Sequence, residues 1–373
     1  MNTTTLSKVR HNYLDLMQAW LTGSLWQDGT CAPFAAPEYD AARREHGLDW
    51  PSQALTMIGV KRLTNLRELT QTIISDRVQG DLIETGVWRG GACIMMRAIL
   101  FAYGITDKQV WVADSFAGLP PGDPTKYPLD ADSDFHTYDQ LAIPLSEVQE
   151  NFKGLGFLDQ RTQFLKGWFR DTLPGAPIDQ LALMRLDGDM YESTLDALDA
   201  LYPKLSVGGF VIIDDYHVVA ACRAAVHDYC TSHGLSPDIK EIDGVGVFWR
   251  KGDTGDTGDT GHTGHTGDID APAKPLDTIE YGDSLTQRIL NADSVLRSMA
   301  LSRTTQVLAQ QNVHIAACLD SINTLKSEVE RRDADLARRD LALKAIETSS
   351  SWRLTAPLRA FKKLAQPFFT AGK

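Results

Sequence analysis

Short apolar runs punctuate the chain between residues 81 and 249, and the stretches between them repeat at helical spacing. The runs, rich in Val, Ile, Leu and Phe, predict strands at Asp81–Thr85, Val110–Asp114, Thr162–Lys166, Leu181–Leu186, Phe210–Ile213 and Val245–Trp249. Helical patterns such as Ala92–Ala102 and Ser193–Tyr202 fall between them. Strands this short and apolar, separated by helices, predict an α/β fold with a mostly parallel sheet covered by helices on both faces. Ligands of such sheets bind beyond the carboxyl ends of the strands. The residues that follow each strand are therefore the ones that carry chemistry.

After the last strand the pattern changes twice. Residues 252–268 read GDTGDTGDTGHTGHTGD, a run of Gly-x-Thr triplets, and with the polar stretch that follows they predict a flexible linker over 252–283. Residues 284–348 hold no Gly and no Pro and read as helix. Leu301, Leu308, Ile315, Ile322, Val329, Leu336 and Leu343 recur at a spacing of seven, which predicts a coiled coil and hence a homo-oligomer or a partner helix. The companion seam, which includes Thr304, Gln311, Arg332 and Arg339, is poorer, so the stripe also suits docking along another protein surface. Residues 349–373 interleave Arg353, Arg359, Lys362 and Lys363 with Trp352, Phe361, Phe368 and Phe369, a composition suited to the surface of an anionic bilayer. The expected division is a helical N-terminal segment or lid at 1–80, a catalytic domain at 81–251, the linker at 252–283, the coiled-coil helix at 284–348 and the basic-aromatic end at 349–373.

Composition narrows the function. Lys and Arg number 37 against 49 Asp and Glu, for a net charge of −12, which argues against nucleic acid as a partner. The acidic excess lies in the front of the chain, since residues 284–373 carry 14 basic and 8 acidic side chains. With 43% apolar residues the chain can bury a sizeable core. Its five cysteines are scattered without metal-ligand spacing, which fits reduced thiols. Asp15 interrupts the apolar N-terminal stretch, and no run of 18 apolar residues occurs. The expectation is a cytoplasmic enzyme, with its C-terminus available to the inner face of the membrane.

Five strand ends carry candidate chemistry. The first leads into Glu84-Thr85-Gly86-Val87-Trp88-Arg89-Gly90-Gly91 and then a helix, an arrangement that offers free backbone N–H groups. The spacing is not the G-x-G-x-x-G of a dinucleotide site, which sets back a nicotinamide oxidoreductase, and Glu84 suits an amine-bearing ligand. The second ends in Asp114-Ser115, where a carboxylate either accepts hydrogen bonds from both ribose hydroxyls or caps the next segment. Trp168, after the third, either stacks on a purine or fills the core. Asp187 and Asp189 follow the fourth and Asp214-Asp215 the fifth. Carboxylates gathered at one rim form a hard, all-oxygen site of the kind Mg²⁺ takes, and they repel one another without a cation. Capping of the next helix by Asp189 explains one of these acids but not the Asp214-Asp215 pair.

These residues lie in stretches that resemble the macrocin O-methyltransferase family, of the TylF/MycF type: Thr56–Gly59 (TMIG), Leu82–Cys93 (LIETGVWRGGAC), Val112–Pro121 (VADSFAGLPP), Leu186–Leu195 (LDGDMYESTL) and Gly208–Tyr216 (GGFVIIDDY). The resemblance covers roughly residues 50–250. It implies a class I, Rossmann-like methyltransferase fold that binds S-adenosylmethionine along Glu84–Gly91, with Met57 and Trp168 beside it and ribose recognition at Asp114 and Ser115. It further implies Mg²⁺ ligation by Asp187, Asp214 and Asp215, with the ion gripping a sugar diol and Asp187 as general base. His136, Tyr191 and His217 are candidate acceptor contacts. Thr348–Arg359 (TSSSWRLTAPLR) resembles the tails of bacterial polysaccharide-assembly enzymes, which points to the sugar of a surface glycan or nucleotide sugar as acceptor. The alternatives are a tailoring enzyme for a deoxysugar on an antibiotic or other secondary metabolite, and a scaffold with a non-catalytic methyltransferase-like domain.

Overall fold

A computed structural model describes residues 3–31, 38–252 and 283–348. Seven strands form one sheet: β1 (Asp81–Thr85), β2 (Val110–Asp114), β3 (Thr162–Lys166), β4 (Leu181–Leu186), β5 (Leu205–Ile213), β6 (Lys240–Glu241) and β7 (Val247–Arg250), in the order β3-β2-β1-β4-β5-β7-β6. The first five of that order pair in parallel, and β7 runs antiparallel to both β5 and β6. From β1 the chain winds outward to β3, then crosses back to β4 on the other side of β1. That reversal leaves a crevice at the carboxyl ends of β1 and β4.

Every residue of β4 is buried, as a central strand covered on both faces requires. β5 begins five residues before the predicted Phe210, because Leu205 pairs with Leu181 across an irregularity at Leu181/Leu183. β7 starts at Val247, two residues after the predicted start, since the Asp243 carboxylate accepts the N–H groups of Val245 and Gly246 and holds them in a turn. The two-residue β6 has no apolar signal to predict it.

The N-terminal segment forms α1 (Thr3–Leu21), α2 (Ala41–Glu45) and α3 (Gly59–Asp76). Its need for a partner is written in α4 (Gly91–Ala102, GACIMMRAILFA), which is apolar all round and so must be covered on its outer side as well. α1 and α3 supply that cover. Arg97, the lone charge of α4, reaches both oxygens of Asp159 at 2.9 and 2.8 Å. The loop between α1 and α3 is pinned by Arg44, fully buried between Asp28 and Asp49 at 3.0 and 2.9 Å. Further along lie α5 (Leu145–Gly154), the single turn α6 (Phe169–Thr172), α7 (Tyr191–Leu201) and α8 (Ala220–Ser232).

The last element is α9, Asp283–Thr348, which matches the helix expected at 284–348. The chain divides into two compact units between Thr304 and Thr305, inside this helix rather than at its start. Within the first unit Ile289 and Leu296 of α9 are buried, and the Arg288 guanidinium lies 5.0 Å above the Phe101 ring. The heptad stripe starts on a different register: Leu301 and Leu336 are exposed, while the side chains of Leu308, Ile315, Ile322, Val329 and Leu343 lie outside the described residues. The linker residues 253–282 and the basic-aromatic end 349–373 lie outside them too. Among the described residues no helix is long and apolar enough to cross a membrane.

Candidate active site

A cavity of about 450 Å³ opens at the carboxyl ends of β1, β2, β4 and β5. Of the predicted residues, Met57, Glu84, Gly86, Val87, Trp88, Asp114, Ser115 and Trp168 line it, as do Asp187, Asp214 and Asp215. Thr85, Arg89, Gly90 and Gly91 do not line it.

The turn after β1 is shaped by the protein's own backbone. Gly86, at φ +81°, lies where a Cβ would sit 1.6 Å from the Asp187 carbonyl oxygen. The Gly86 N–H donates to Ala113 at 2.9 Å and the Asp187 N–H to Thr85 at 2.9 Å, which continues the sheet ladder past the strand ends. A Cβ on Gly91 would meet the Leu55 carbonyl at 2.4 Å, and the Gly91 N–H donates to that same oxygen at 2.9 Å. Gly90, at φ +86°, faces the Phe152 ring. Arg89 points away from the cavity and donates to the Pro51 and Ala54 carbonyls at 3.1 and 2.9 Å. Its guanidinium stacks 4.1 Å from the Trp88 ring, whose Nε1 donates to the Gln140 carbonyl at 2.9 Å.

Asp114 ties this turn to the next one. One carboxylate oxygen accepts the Val87 N–H at 2.8 Å and the other the Phe116 N–H at 2.6 Å. Burial raises its pKa, and these backbone donors partly offset that. The Phe116-bound oxygen also accepts from the Ser115 hydroxyl at 3.4 Å, and since a carboxylate offers about four lone-pair sites, capping still leaves room for a ribose hydroxyl. Trp88, Phe116 and Asp189 all hold positive φ (47°, 55° and 56°) in the turns after β1, β2 and β4. Left-handed backbone at non-glycine residues is strained, and its clustering at strand ends marks a site.

On the β4–β5 side the wall is charge. Ligand oxygens of Asp187, Asp214 and Asp215 lie within 4.8 Å of one another. Arg185, 1% exposed, donates to Glu84 at 2.5 Å and to Asp187 at 2.8 Å with Nη1, and to Asp214 with Nη2. Arg62 holds the other Asp214 oxygen. Neither Arg62 nor Arg185 belongs to the set expected from sequence. A lone arginine in the apolar run LALMRL is the available signal for Arg185, because a buried guanidinium needs carboxylate partners. Arg62 offers none.

Glu84 accepts from Arg185 with one carboxylate oxygen and from the Cys93 thiol, at 3.0 Å, with the other, and each oxygen keeps a second lone pair. Burial pushes its pKa up to about 7, against the pull of Arg185. Burial and the charge of Asp214 push Asp187 up to about 6, while burial, Asp187 and Asp214 push Asp189 up to about 8. Asp215 is raised well above the usual carboxylate range by burial and then by these neighbours, and its buried Oδ2 has no hydrogen-bond partner. Converging hard oxygens with one such orphaned atom fit a divalent cation such as Mg²⁺.

The three candidate acceptor residues do not line the cavity. His136 is exposed, and its neighbour Phe135 faces the cavity instead. The Tyr191 hydroxyl donates to Asp228 at 2.9 Å, while the Tyr191 N–H is capped at 2.8 Å by buried Asp130, a residue that no motif marks. His217 is exposed, with its N–H donating to the Val245 carbonyl at 2.9 Å. Trp50, Leu48 and Leu141 supply apolar wall that no motif points to.

Comparison with known proteins decides the family: residues 10–251 match the macrocin O-methyltransferase (TylF) pattern. The chain belongs to the macrocin O-methyltransferase family. Like the family, it is an S-adenosylmethionine-dependent O-methyltransferase. It is 54% identical over 243 residues to the 8-demethyl-8-(2,3-dimethoxy-alpha-L-rhamnosyl)-tetracenomycin-C 4'-O-methyltransferase of Streptomyces olivaceus, across 65% of this chain and 93% of that one. The mycinamicin III 3''-O-methyltransferase of Micromonospora griseorubida is 48% identical over 244 residues, covering 64% of this chain and 96% of its own. The solved structure of the O-methyltransferase NovP superposes with a TM-score of 0.63 at 46% identity, covering 65% of this chain and 99% of NovP. The macrocin-type match stops at residue 251, so α9 is an addition to the family's catalytic unit.

Proposed function

We propose that this enzyme methylates a hydroxyl of a deoxysugar carried on a secondary metabolite. The observation that carries the reading is the 54% identity to an enzyme named for a rhamnosyl-tetracenomycin, supported by a second relative named for mycinamicin III. The surface-glycan reading, suggested by the resemblance of Thr348–Arg359, gives way to it because the relatives matched across the catalytic region are named for secondary metabolites.

S-adenosylmethionine supplies an electrophilic methyl group, and the residues that would hold it are those of the β1–β2 side: Asp114 and Ser115 at the ribose, the turn from Gly86 to Trp88, Met57 and Trp168. A Mg²⁺ held by Asp187, Asp214 and Asp215 would supply Lewis-acid polarisation of the acceptor hydroxyl. Asp187 would accept the hydroxyl proton on a carboxylate oxygen, the role of general base. Arg185 and Arg62 hold Asp214 by both oxygens, so the acid side is ordered before the acceptor arrives. Trp50, Leu48 and Phe135 add apolar lining to the cavity.

In the same reading the chain beyond Thr304 anchors the enzyme, through self-association or a partner helix along the heptad stripe and through contact of 349–373 with an anionic membrane surface. A chain ending at Thr304 keeps the buried Ile289 and Leu296 and should retain methyl transfer while losing binding to phosphatidylserine vesicles. Loss of methyl transfer from that chain, still folded, would contradict the division.

The activity test is methyl transfer from labelled S-adenosylmethionine into rhamnosylated polyketides, nucleotide sugars and lipid-linked glycans, with and without EDTA. Labelling of the glycosylated polyketide, abolished by EDTA and restored by Mg²⁺, is expected. Labelling confined to lipid-linked glycan would overturn the acceptor class, and full turnover in EDTA would overturn the cation.

A further inference from the structure

Arg62 gathers three distant stretches onto one guanidinium. It stands in the first turn of α3 and is 5% exposed. Nη1 donates to Asp214 Oδ2 at the end of β5, and Nε donates to Asp243 Oδ2 at 3.2 Å in the turn before β7. Nη2 donates to the carbonyls of His46 and Gly47 at 3.3 and 3.2 Å, in the turn that follows α2. The remaining oxygen of Asp243 holds the Val245 and Gly246 N–H groups, and Val245 lines the cavity.

Two glycines make room for this contact. Gly47 holds φ +60°, and a Cβ there would lie 2.3 Å from Arg62 Nη2 and 2.6 Å from the Ile58 carbonyl. Gly59 holds φ +78°, and a Cβ there would lie 2.2 Å from the Gly47 nitrogen. The backbone is thus shaped around a planar fork, which an ammonium cannot reproduce.

We propose that Arg62 is a positioning residue that couples the seating of the Gly47–Ile58 wall to the orientation of the Asp214 carboxylate. This rests on the reading of Asp187, Asp214 and Asp215 as the cation-binding side of the site. The wall carries Leu48, Trp50 and Met57 into the cavity, and its turn is bound to the same guanidinium that sets Asp214. Seating the acceptor wall and completing the acid cluster are therefore one event. Outer partners of ligating carboxylates commonly change metal affinity by about 10–100-fold when replaced.

The test is Mn²⁺ binding to the full chain followed by electron paramagnetic resonance, with S-adenosylmethionine affinity measured calorimetrically on the same samples. Arg62→Lys keeps the charge and loses the fork: Mn²⁺ affinity should fall roughly 10–100-fold, with S-adenosylmethionine affinity changed by less than about twofold. Asp243→Asn keeps an acceptor for the Val245 turn while loosening Arg62, and should move Mn²⁺ affinity the same way by a smaller factor. Wild-type Mn²⁺ affinity in a folded Arg62→Lys protein would overturn the proposal and leave the cation reading standing. If Arg62→Lys does not fold, wild-type affinity in Asp243→Asn does the same. A wild-type protein that takes up no Mn²⁺ overturns the cation reading itself, and the proposal with it.

Discussion

The turn from Gly86 to Gly91 on one side of the cavity is shaped by close-packed backbone, whereas from Arg185 to Asp215 the wall is made by charged side chains. On the first side the constraints are steric: Gly86 lies against the Asp187 carbonyl and Gly91 against Leu55. On the second side the constraints are electrostatic, with two guanidiniums threaded among Glu84, Asp187 and Asp214. The difference teaches how a damaged site should fail. A backbone wall fails by unfolding, because nothing else fits the space. A charged wall fails by losing chemistry, because volume is kept while a proton acceptor or ligand is removed.

The largest effect should come from the charged side. Asp187→Asn preserves shape and should lower kcat by about 10²–10⁴-fold, the usual span for a general base, while calorimetry finds S-adenosylmethionine affinity unchanged. Unaltered turnover would remove Asp187 from the proton path. Next, Gly86→Ala should cost on the order of 4 kcal/mol of stability in a denaturant titration, since the added methyl meets a backbone carbonyl that cannot step aside. A cost below about 1 kcal/mol would show that the turn has more freedom than these contacts allow.

Asp114→Ala probes the seam between the two kinds of wall. It should weaken S-adenosylmethionine binding by about 1.5–3 kcal/mol, the range for hydrogen bonds to a charged group, and leave Mn²⁺ binding intact. Unchanged cofactor affinity would reduce Asp114 to a cap for Val87 and Phe116. The smallest effect is expected at Gly90→Ala, about 1–2 kcal/mol, because the obstacles are side chains, the edge of the Phe152 ring and a Val148 methyl, rather than backbone, and to them is added the positive φ. If Gly90→Ala proves as damaging as Gly86→Ala, flexible and rigid obstacles are not being distinguished and the backbone argument fails.

Much of this architecture is legible in the amino-acid sequence. The bounds of β1 to β4 follow from short apolar runs to the residue, most plainly in β4, where every residue is buried, and least in the partly exposed edge strand β3. Acids directly after such runs stand out, and Asp187, Asp214 and Asp215 do meet. Other features leave no trace. Arg62 meets Asp214 across 152 residues, with nothing local to mark it. Tyr191 stands in a motif beside the site, yet its hydroxyl turns to Asp228 on α8. The buried start of α9 has its own stripe, Ile289 and Leu296, outshone by the longer heptad that begins at Leu301.

The sequence by itself determined the α/β class, the strand ends that face a ligand and the carboxylates placed on them, because strand burial and strand-to-turn transitions depend on neighbouring residues. Only the tertiary structure decided which partners those carboxylates have, why the glycines are glycines and how far α9 belongs to the catalytic unit. Each of these depends on the approach of segments tens to hundreds of residues apart. Buried charge must be matched and close-packed backbone must be given room, and both conditions are set by whichever chain arrives from elsewhere.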